Sequence, residues 1–399
     1  MSNGSVMRWE LKRRGVKPET AKPAERIKHL PARRGVFLIA IGNSAEEVAL
    51  RLRALAWKDG YDVPILFLNN DIAAPNVISV RLSNGQFAQL IAEDRFVIGG
   101  EGNARDQIKD HPLLAERYLR QGLLRGISVF ETYPRGGHGG HSLPIISALD
   151  LDLHCAEVYA FLRKGLAWLR DGNSSDLVDA RSDIERLIKQ RTQMQRVAAE
   201  AWNVVIIGGG SGSCGNAGHQ LLPYQVREIL RELGVGNYEL TGVVLGPRAF
   251  TGLTPNVTLN YYALLQALDF LAQHGQRRRY INGLTIDAAT PPYNQVILFD
   301  DPWLPREGAT VSERELNVFF ARAALSLHLW LNTQANQVIA SRTANPRADR
   351  ADENTDERVR MFATLNGAVA GADKDGLIEI VALKKQAQLF HALLARLEA

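Results

Sequence analysis

Three short segments of the chain carry residue types suited to holding an anion, and each follows an apolar run. The densest is Gly208-Gly209-Gly210-Ser211-Gly212-Ser213, directly after Asn203-Val204-Val205-Ile206-Ile207. Glycines let backbone amides approach a ligand, and the two serines add hydroxyl donors. Three successive glycines cost roughly 0.5–1 kcal/mol each relative to Ala in regular structure, so a compensating reason is expected, and a bound phosphate supplies one. A tight strand-to-helix turn without ligand is the alternative. The other two segments are Gly42-Asn43-Ser44, after the run 35–41, and Asn69-Asn70-Asp71, after the run 63–68.

Two common phosphate sites do not fit. No Gly-Lys-Ser/Thr follows the glycines, so the lysine cradle of the P-loop is unlike this segment. A Rossmann dinucleotide site wants Gly-x-Gly-x-x-Gly and an acid at the end of the next strand. Here that strand ends Val244-Leu245-Gly246-Pro247, and the first loop holds only Gly42.

The elements that must position these loops alternate. Continuous apolar runs at 35–41, 63–68, 203–207, 240–245 and 296–299 read as strands buried on both faces. A short strand at 126–130 and another at 377–383 are weaker. Helical periodicity covers 45–57, with Ser44 as a cap, and also 112–124, 153–169 and the highly charged 176–201. Further helices are expected from Pro223 to Leu233, with 216–222 as a small insertion before it, and over 260–274, 312–331 and 384–397. Ser312 and Glu315 have capping-box spacing. The alternation predicts an α/β protein with a doubly wound, mainly parallel sheet, whose ligands bind beyond the carboxyl ends of the strands.

The glycine loop and Cys214 after it resemble the Gly-Gly-Gly-Thr-Gly-Ser/Thr-Gly signature of the tubulin/FtsZ superfamily. Other segments are similar in order and spacing. Asn69-Asn70-Asp71 resembles the Asn-Thr-Asp of FtsZ, and Gly136, Gly137, Gly139 and Gly140 resemble the loop that senses the γ-phosphate. Leu245-Gly246-Pro247, Pro255-Asn256 and the helix at 260–268 resemble the strand, ribose loop and helix after the signature. Phe299-Asp300-Asp301 resembles a segment beside the guanine, and Glu315-Leu316-Asn317 the start of tubulin's central helix. The resemblance covers about 35–335 and is strongest to divergent bacterial tubulin-like proteins. It implies GTP or GDP as ligand, Mg2+ on the phosphates, and self-association into filaments. It divides the chain into a basic N-terminal arm (1–34), a nucleotide-binding α/β domain (35–311), a long central helix and loop (312–337), and a reduced C-terminal α+β part (338–399). Guanine offers N1–H and N2–H donors and an O6 acceptor, which an Asp301 carboxylate and an Asn317 amide would match.

The departures from that pattern carry expectations too. Glu46 falls near where phosphates would lie, which weakens the case for tight triphosphate binding. Cys214 replaces the last signature glycine and reads as a packing residue. The loop after the central helix, which in the family gives the neighbouring subunit an acidic residue, is Asn332-Thr333-Gln334-Ala335-Asn336-Gln337 here. Without a carboxylate there, GTP hydrolysis should be slow or absent, unless Asp349, Asp352 or Asp373 takes that role.

Composition sets the frame. The chain has 399 residues, 47 Lys+Arg against 43 Asp+Glu, and 46 % apolar residues, as in a globular protein able to bury a sizeable core. Two cysteines, Cys155 and Cys214, are too few for a disulfide framework. No apolar run is long enough to span a membrane, and a cytoplasmic location is expected. Ten Lys/Arg and three Glu within 1–34 give an arm of +7 that could meet an acidic partner, although a solvated leader is the simpler reading. Arg277-Arg278-Arg279 reads as a solvated basic turn, and His138 and His141 as solvated loop residues. A nucleotide-binding scaffold that does not polymerise is the second functional reading, and a Rossmann-type oxidoreductase the third.

Overall fold

Two apolar segments, Val-Phe-Leu-Ile-Ala-Ile at 36–41 and Trp-Asn-Val-Val-Ile-Ile-Gly-Gly at 202–209, lie side by side as parallel strands at the centre of the molecule, and every residue of the first is buried. A computed structural model describes residues 32–33, 35–71, 77–81, 87–92, 95–99, 108–120, 142–171, 177–178, 202–252, 256–301, 310–332 and 362–364. In chain order the elements begin with β1 (Ala32–Arg33), β2 (Val36–Ile41), α1 (Asn43–Lys58), β3 (Ile65–Asn69), β4 (Val77–Arg81), β5 (Phe87–Ile91) and β6 (Arg95–Val97). A helical turn at Pro112–Leu114 continues as the π-helical Ala115–Arg120. Then come α2 (Pro144–Leu153), α3 (Cys155–Asp171), β7 (Leu177–Val178), β8 (Trp202–Gly209), α4 (Ser213–Glu232), β9 (Tyr238–Leu245) and α5 (Val257–His274). The hairpin strands β10 (Gln276–Arg279) and β11 (Thr285–Ala288), β12 (Gln295–Phe299), α6 (Glu313–Asn332) and β13 (Phe362–Thr364) complete the described chain.

The main sheet has seven strands in the order β13-β12-β9-β8-β2-β3-β6, and every pairing is parallel. From β2 the chain winds outward through β3 to β6. It then returns to β8, on the other side of β2, and winds outward again through β9, β12 and β13. The order therefore reverses between β2 and β8. Side chains alternate across the sheet. Val36, Leu38, Ala40, Val205, Ile207, Val243 and Ile297 face α1 and α6, with Val48, Leu52, Phe319 and Leu327 buried against them. Phe37, Ile39, Ile41, Val204, Ile206, Leu240 and Val244 face α3, α4 and α5. Each fully buried Leu, Ile or Phe contributes about 1.5–3 kcal/mol, so these two layers hold the fold without disulfides.

Several boundaries differ from the sequence expectations, each for a physical reason. The strand expected over 63–68 begins at Ile65, because Pro64 has no N–H to give a ladder. The helix expected from Pro223 begins ten residues earlier at Ser213, with Pro223 inside it, so 216–222 is helix and not an insertion. An internal proline costs about 3 kcal/mol, but Leu221, Leu222, Val226, Ile229 and Leu230 bury enough surface to offset it. Gly218 allows the close approach: a Cβ there would lie 2.8 Å from Ile41. The helix expected over 153–169 is α3, shifted by two residues to Cys155–Asp171, and α2, which ends at Leu153 and has Pro144 in its first turn, was not foreseen. The helix expected at 260 starts at Val257, where Asn256 adopts the left-handed conformation (φ 60°) and its carbonyl accepts the Asn260 N–H at 2.8 Å. Arg277–Arg279 is a strand, not a turn. Within it Arg278 turns inward to the buried Asp152, which also accepts from Arg117 (2.6 Å) and Tyr118 Oη (2.7 Å).

At 177–178, inside the helix expected over 176–201, the chain instead pairs in parallel with Ala32–Arg33. The rest of that segment, the strands expected at 126–130 and 377–383, the helix at 384–397 and residues 1–31 lie outside the described residues. The capping box is present: Glu315 Oε2 accepts from Ser312 N (2.8 Å) and Ser312 Oγ (2.6 Å), and Ser312 Oγ accepts from Glu315 N (3.3 Å). Among the described residues no helix is long and apolar enough to cross a membrane.

Candidate functional site

The carboxyl ends of β2 and β8 open into helices on opposite faces of the sheet, so a crevice forms where the strand order reverses, the usual ligand position in doubly wound sheets. Both bends run straight into a helix. Gly42 caps α1 with φ 82°, and Gly212 caps α4 in extended conformation, and neither helix start receives a hydrogen bond from its cap side chain. The two bends touch each other. A Cβ on Gly42 would lie 3.4 Å from that of Cys214, and one on Gly209 would lie 3.7 Å from Ser44 Oγ.

The glycines of the second bend have different reasons for being glycine. At Gly208 a Cβ would be 2.6 Å from His219 Nε2, and at Gly210 it would be 2.6 Å from the Tyr261 ring and 2.8 Å from Val244. Packing alone demands both. Gly215, in the first turn of α4, sits against the Gly209 backbone with no room for a side chain. Gly212 is exposed and has nothing within 4 Å of the place a Cβ would occupy, so it borders open space. Beside it Ser211 is 1 % exposed and its hydroxyl has no hydrogen-bond partner among the described residues. No acidic residue stands in the first turn of α4. A buried hydroxyl with no partner among the described residues, beside a helix start that lacks a side-chain cap hydrogen bond, suits an anion. The bend is rigidly held: Asn216 Nδ2 donates to the Gly210 carbonyl and the Asn260 carbonyl, both at 2.8 Å, and Asn260 Nδ2 donates to the Ser211 carbonyl at 3.1 Å. Beneath it His219 Nδ1 pairs with Tyr293 Oη at 2.8 Å, and burial lowers the imidazole to about 4, so the ring is neutral.

The β2 and β3 side of the crevice is polar and closed. Asn69 Nδ2 donates to Asn43 Oδ1, Asn43 Nδ2 donates to Asp71 Oδ2 at 3.1 Å, and Asp71 N donates to Asn69 Oδ1 at 3.2 Å. Asn70 Nδ2 turns inward to Ser147 Oγ (2.8 Å) and Asp150 Oδ2 (3.3 Å), and burial raises the Asp150 carboxyl to about 7. Glu46 does not point bare into the crevice. Its carboxylate pairs with Arg95 of β6 at 3.2 Å, a partner that the sequence reading missed because nothing in a three-residue edge strand marks it. Cys214 is buried and its thiol is pushed up to about 12, first by burial, so it packs and does not react.

The remaining expected residues are spread along the ends of β9, β12 and α6. Pro247 begins the 3-10 turn Arg248–Phe250, and Asn256 is exposed at the start of α5. Asp301 is buried and pairs with Arg322 of α6 at 2.5 Å. Asn317 Oδ1 accepts from Arg51 of α1 at 3.3 Å. Asp300, beside Arg248 at 3.8 Å, is raised to about 6 by burial. Gly136, Gly137, Gly139, Gly140, His138, His141, Pro255, 333–337, Asp349, Asp352 and Asp373 lie outside the described residues. No group of three His, Cys, Asp or Glu that could hold a metal occurs among the described residues.

These features define a doubly wound α/β protein whose strand order reverses between β2 and β8. The chain is similar to solved structures of the tubulin/FtsZ family. One is CetZ2 from Haloferax volcanii in a GTPγS-bound protofilament, at 13 % identity and a TM-score of 0.39, covering 76 % of this chain. Another is the GTPγS-form protofilament of TubZ from Bacillus thuringiensis serovar israelensis, at 16 % identity and a TM-score of 0.37, covering 74 %. A third, the type III plasmid segregation TubZ, has 14 % identity and a TM-score of 0.34, covering 74 % of this chain. The match spans 62 % of the CetZ2 chain and 55 % of each of these TubZ chains. No family model and no curated protein matches. Similarity at this level says nothing of ligand or assembly in this chain.

Proposed function

We propose that this is a tubulin-like guanine-nucleotide-binding protein whose nucleotide phosphates rest against the start of α4. The observation that carries this reading is the buried Ser211 hydroxyl, which has no partner among the described residues, beside the exposed Gly212 at the start of α4 and at the point where the strand order reverses. On this reading Gly208, Gly209, Gly210, Ser211, Gly212 and Ser213 cradle the phosphates, and Gly42, Asn43, Asn69, Asn70 and Asp71 flank them. By the resemblance, Gly136, Gly137, Gly139 and Gly140 belong to the loop that senses the γ-phosphate, Pro247 and Asn256 border the ribose, and Asp301 and Asn317 read the base. Mg2+ would be held by phosphate oxygens and water, since the described carboxylates form no cage of their own.

The resemblance further motivates self-association, slow or absent hydrolysis, and a contact between the basic N-terminal arm and an acidic partner. The test is a titration of the purified protein with GTP, GDP, ATP and NAD. Binding of GTP and GDP above ATP and NAD is expected, with the preference reduced by Asp301→Ala and by Asn317→Ala. Retention of NAD alone would favour an oxidoreductase, and binding of none of the four would overturn the reading. Light scattering with and without GTP then separates a filament protein from a scaffold that does not polymerise.

A further inference from the structure

Arg95 and Glu46 form a nearly buried ion pair at the edge of the crevice, with side chains 9 % and 3 % exposed. Arg95 Nε donates to Glu46 Oε2 at 3.2 Å and its Nη2 donates to the Asp71 carbonyl at 2.9 Å, while Asn69 Nδ2 reaches the same Glu46 oxygen at 3.4 Å. Asp71 and Asn69 both bond Asn43, the first residue of α1, so the guanidinium stands one hydrogen-bonded side chain away from the first bend. The second bend also feels this group: the Asp150 and Asp71 carboxylates and the Arg95 guanidinium act in opposite directions on Cys214, in the first turn of α4.

The strand order places the parts in a line. The glycine bend ends β8, Gly42 and Asn43 follow β2, and Asp71 follows β3; Arg95 begins the neighbouring β6 opposite Phe67, and its side chain reaches up to the Asp71 carbonyl at the strand ends. A polyphosphate that starts on the glycine bend and runs along the strand ends brings its last group toward Arg95. A guanidinium presents the same fork of donors to a carboxylate and to a phosphate. In a site shielded from water, a carboxylate in the first turn of α1 repels that last group unless Arg95 is turned to it.

We propose that Glu46 is an internal competitor for Arg95, displaced by the terminal phosphate of a bound nucleoside triphosphate, so that this pair sets the preference between triphosphate and diphosphate. The inference rests on the nucleotide reading above and concerns the same crevice. Arg95 is a specificity residue, and Glu46 acts through it.

The test measures Kd for GTP and GDP by calorimetry in the wild type and three variants, with thermal midpoints alongside. Glu46→Gln keeps the shape and one acceptor while removing the charge; it should tighten GTP by about fivefold and change GDP by less than about twofold. Arg95→Gln should weaken GTP by about tenfold and GDP by less than about threefold. The double variant removes both charges, so it remains informative if a lone buried charge unfolds a single variant, and it should bind GTP and GDP with equal affinity. Equal weakening of GTP and GDP by Glu46→Gln with a lowered midpoint would make the pair purely structural and overturn the proposal. An unchanged GTP preference in the double variant would do the same. If the wild type binds GDP and GTP but the variants keep its ratio, only this inference fails; if the wild type binds neither, the nucleotide reading fails and takes the inference with it.

Discussion

The chain begins its helices in two different ways. At the start of α6, Ser312 and Glu315 close the first turn with the protein's own side chains, at 2.6–3.3 Å. At the switch point, α4 begins with an exposed glycine, open space and no side-chain cap, although Ser211 is adjacent and its hydroxyl has no partner among the described residues. Relative to glycine, a Ser, Asp or Asn cap stabilises a helix start by a few tenths of a kcal/mol, so Gly212 at the start of α4 forgoes a little stability. The Ser211 hydroxyl is a donor that an anion can take. The contrast also divides the glycine run: Gly208 and Gly210 are glycine for packing, whereas Gly212 is not crowded by anything.

That contrast can be broken deliberately. Gly212→Asp would give α4 an internal cap like that of α6 and put a carboxylate where a phosphate should lie. The expected result is loss of GDP affinity by about 100-fold, read by titration, with unfolding stability unchanged or raised by about a few tenths of a kcal/mol. Gly215→Ala has the opposite signature. Its methyl group would meet the Gly209 backbone, and the protein should lose about 1–3 kcal/mol in denaturant unfolding before any ligand is added.

A pH series sharpens the account of the polar side. Asp150 has its folded pKa raised by burial from 3.8 to about 7, so between those values the folded state holds a proton that the unfolded chain has released. Stability must then fall as pH rises through that window, with the penalty complete above about 7. From pH 6 to 8 the fall from this group is on the order of 1 kcal/mol, and Asp150→Asn should flatten it in chemical denaturation. The smallest effect is at α6: Ser312→Ala should cost about 1 kcal/mol and leave nucleotide affinity unchanged.

Much of the architecture was legible from residue order. The runs at 35–41, 203–207, 240–245 and 296–299 announce strands because a parallel sheet covered on both faces needs uninterrupted apolar side chains. The capping box at Ser312 was equally plain, being a local pattern. What local patterns could not supply was anything decided by packing across the sheet. Pro223 looks like a first helical residue, yet the glycines at 215 and 218 let α4 press onto β8 and β2 well before it. Arg278 looked solvated among three arginines until β10 turned it toward Asp152. Glu46 looked like an unneutralised charge because Arg95 is 49 residues away in sequence. The hairpin β4–β5 and α2 fall in stretches where polar and apolar residues follow neither period cleanly, and they were missed.

The central claim concerns one helix start, and a crystal structure of the protein grown with GDP and Mg2+ tests it directly. Phosphate oxygens should lie at hydrogen-bond distance, about 2.7–3.2 Å, from the Gly212 and Ser213 amides, with the Ser211 hydroxyl satisfied. A nucleotide bound elsewhere, with the Gly212 bend still facing bulk water, would contradict it.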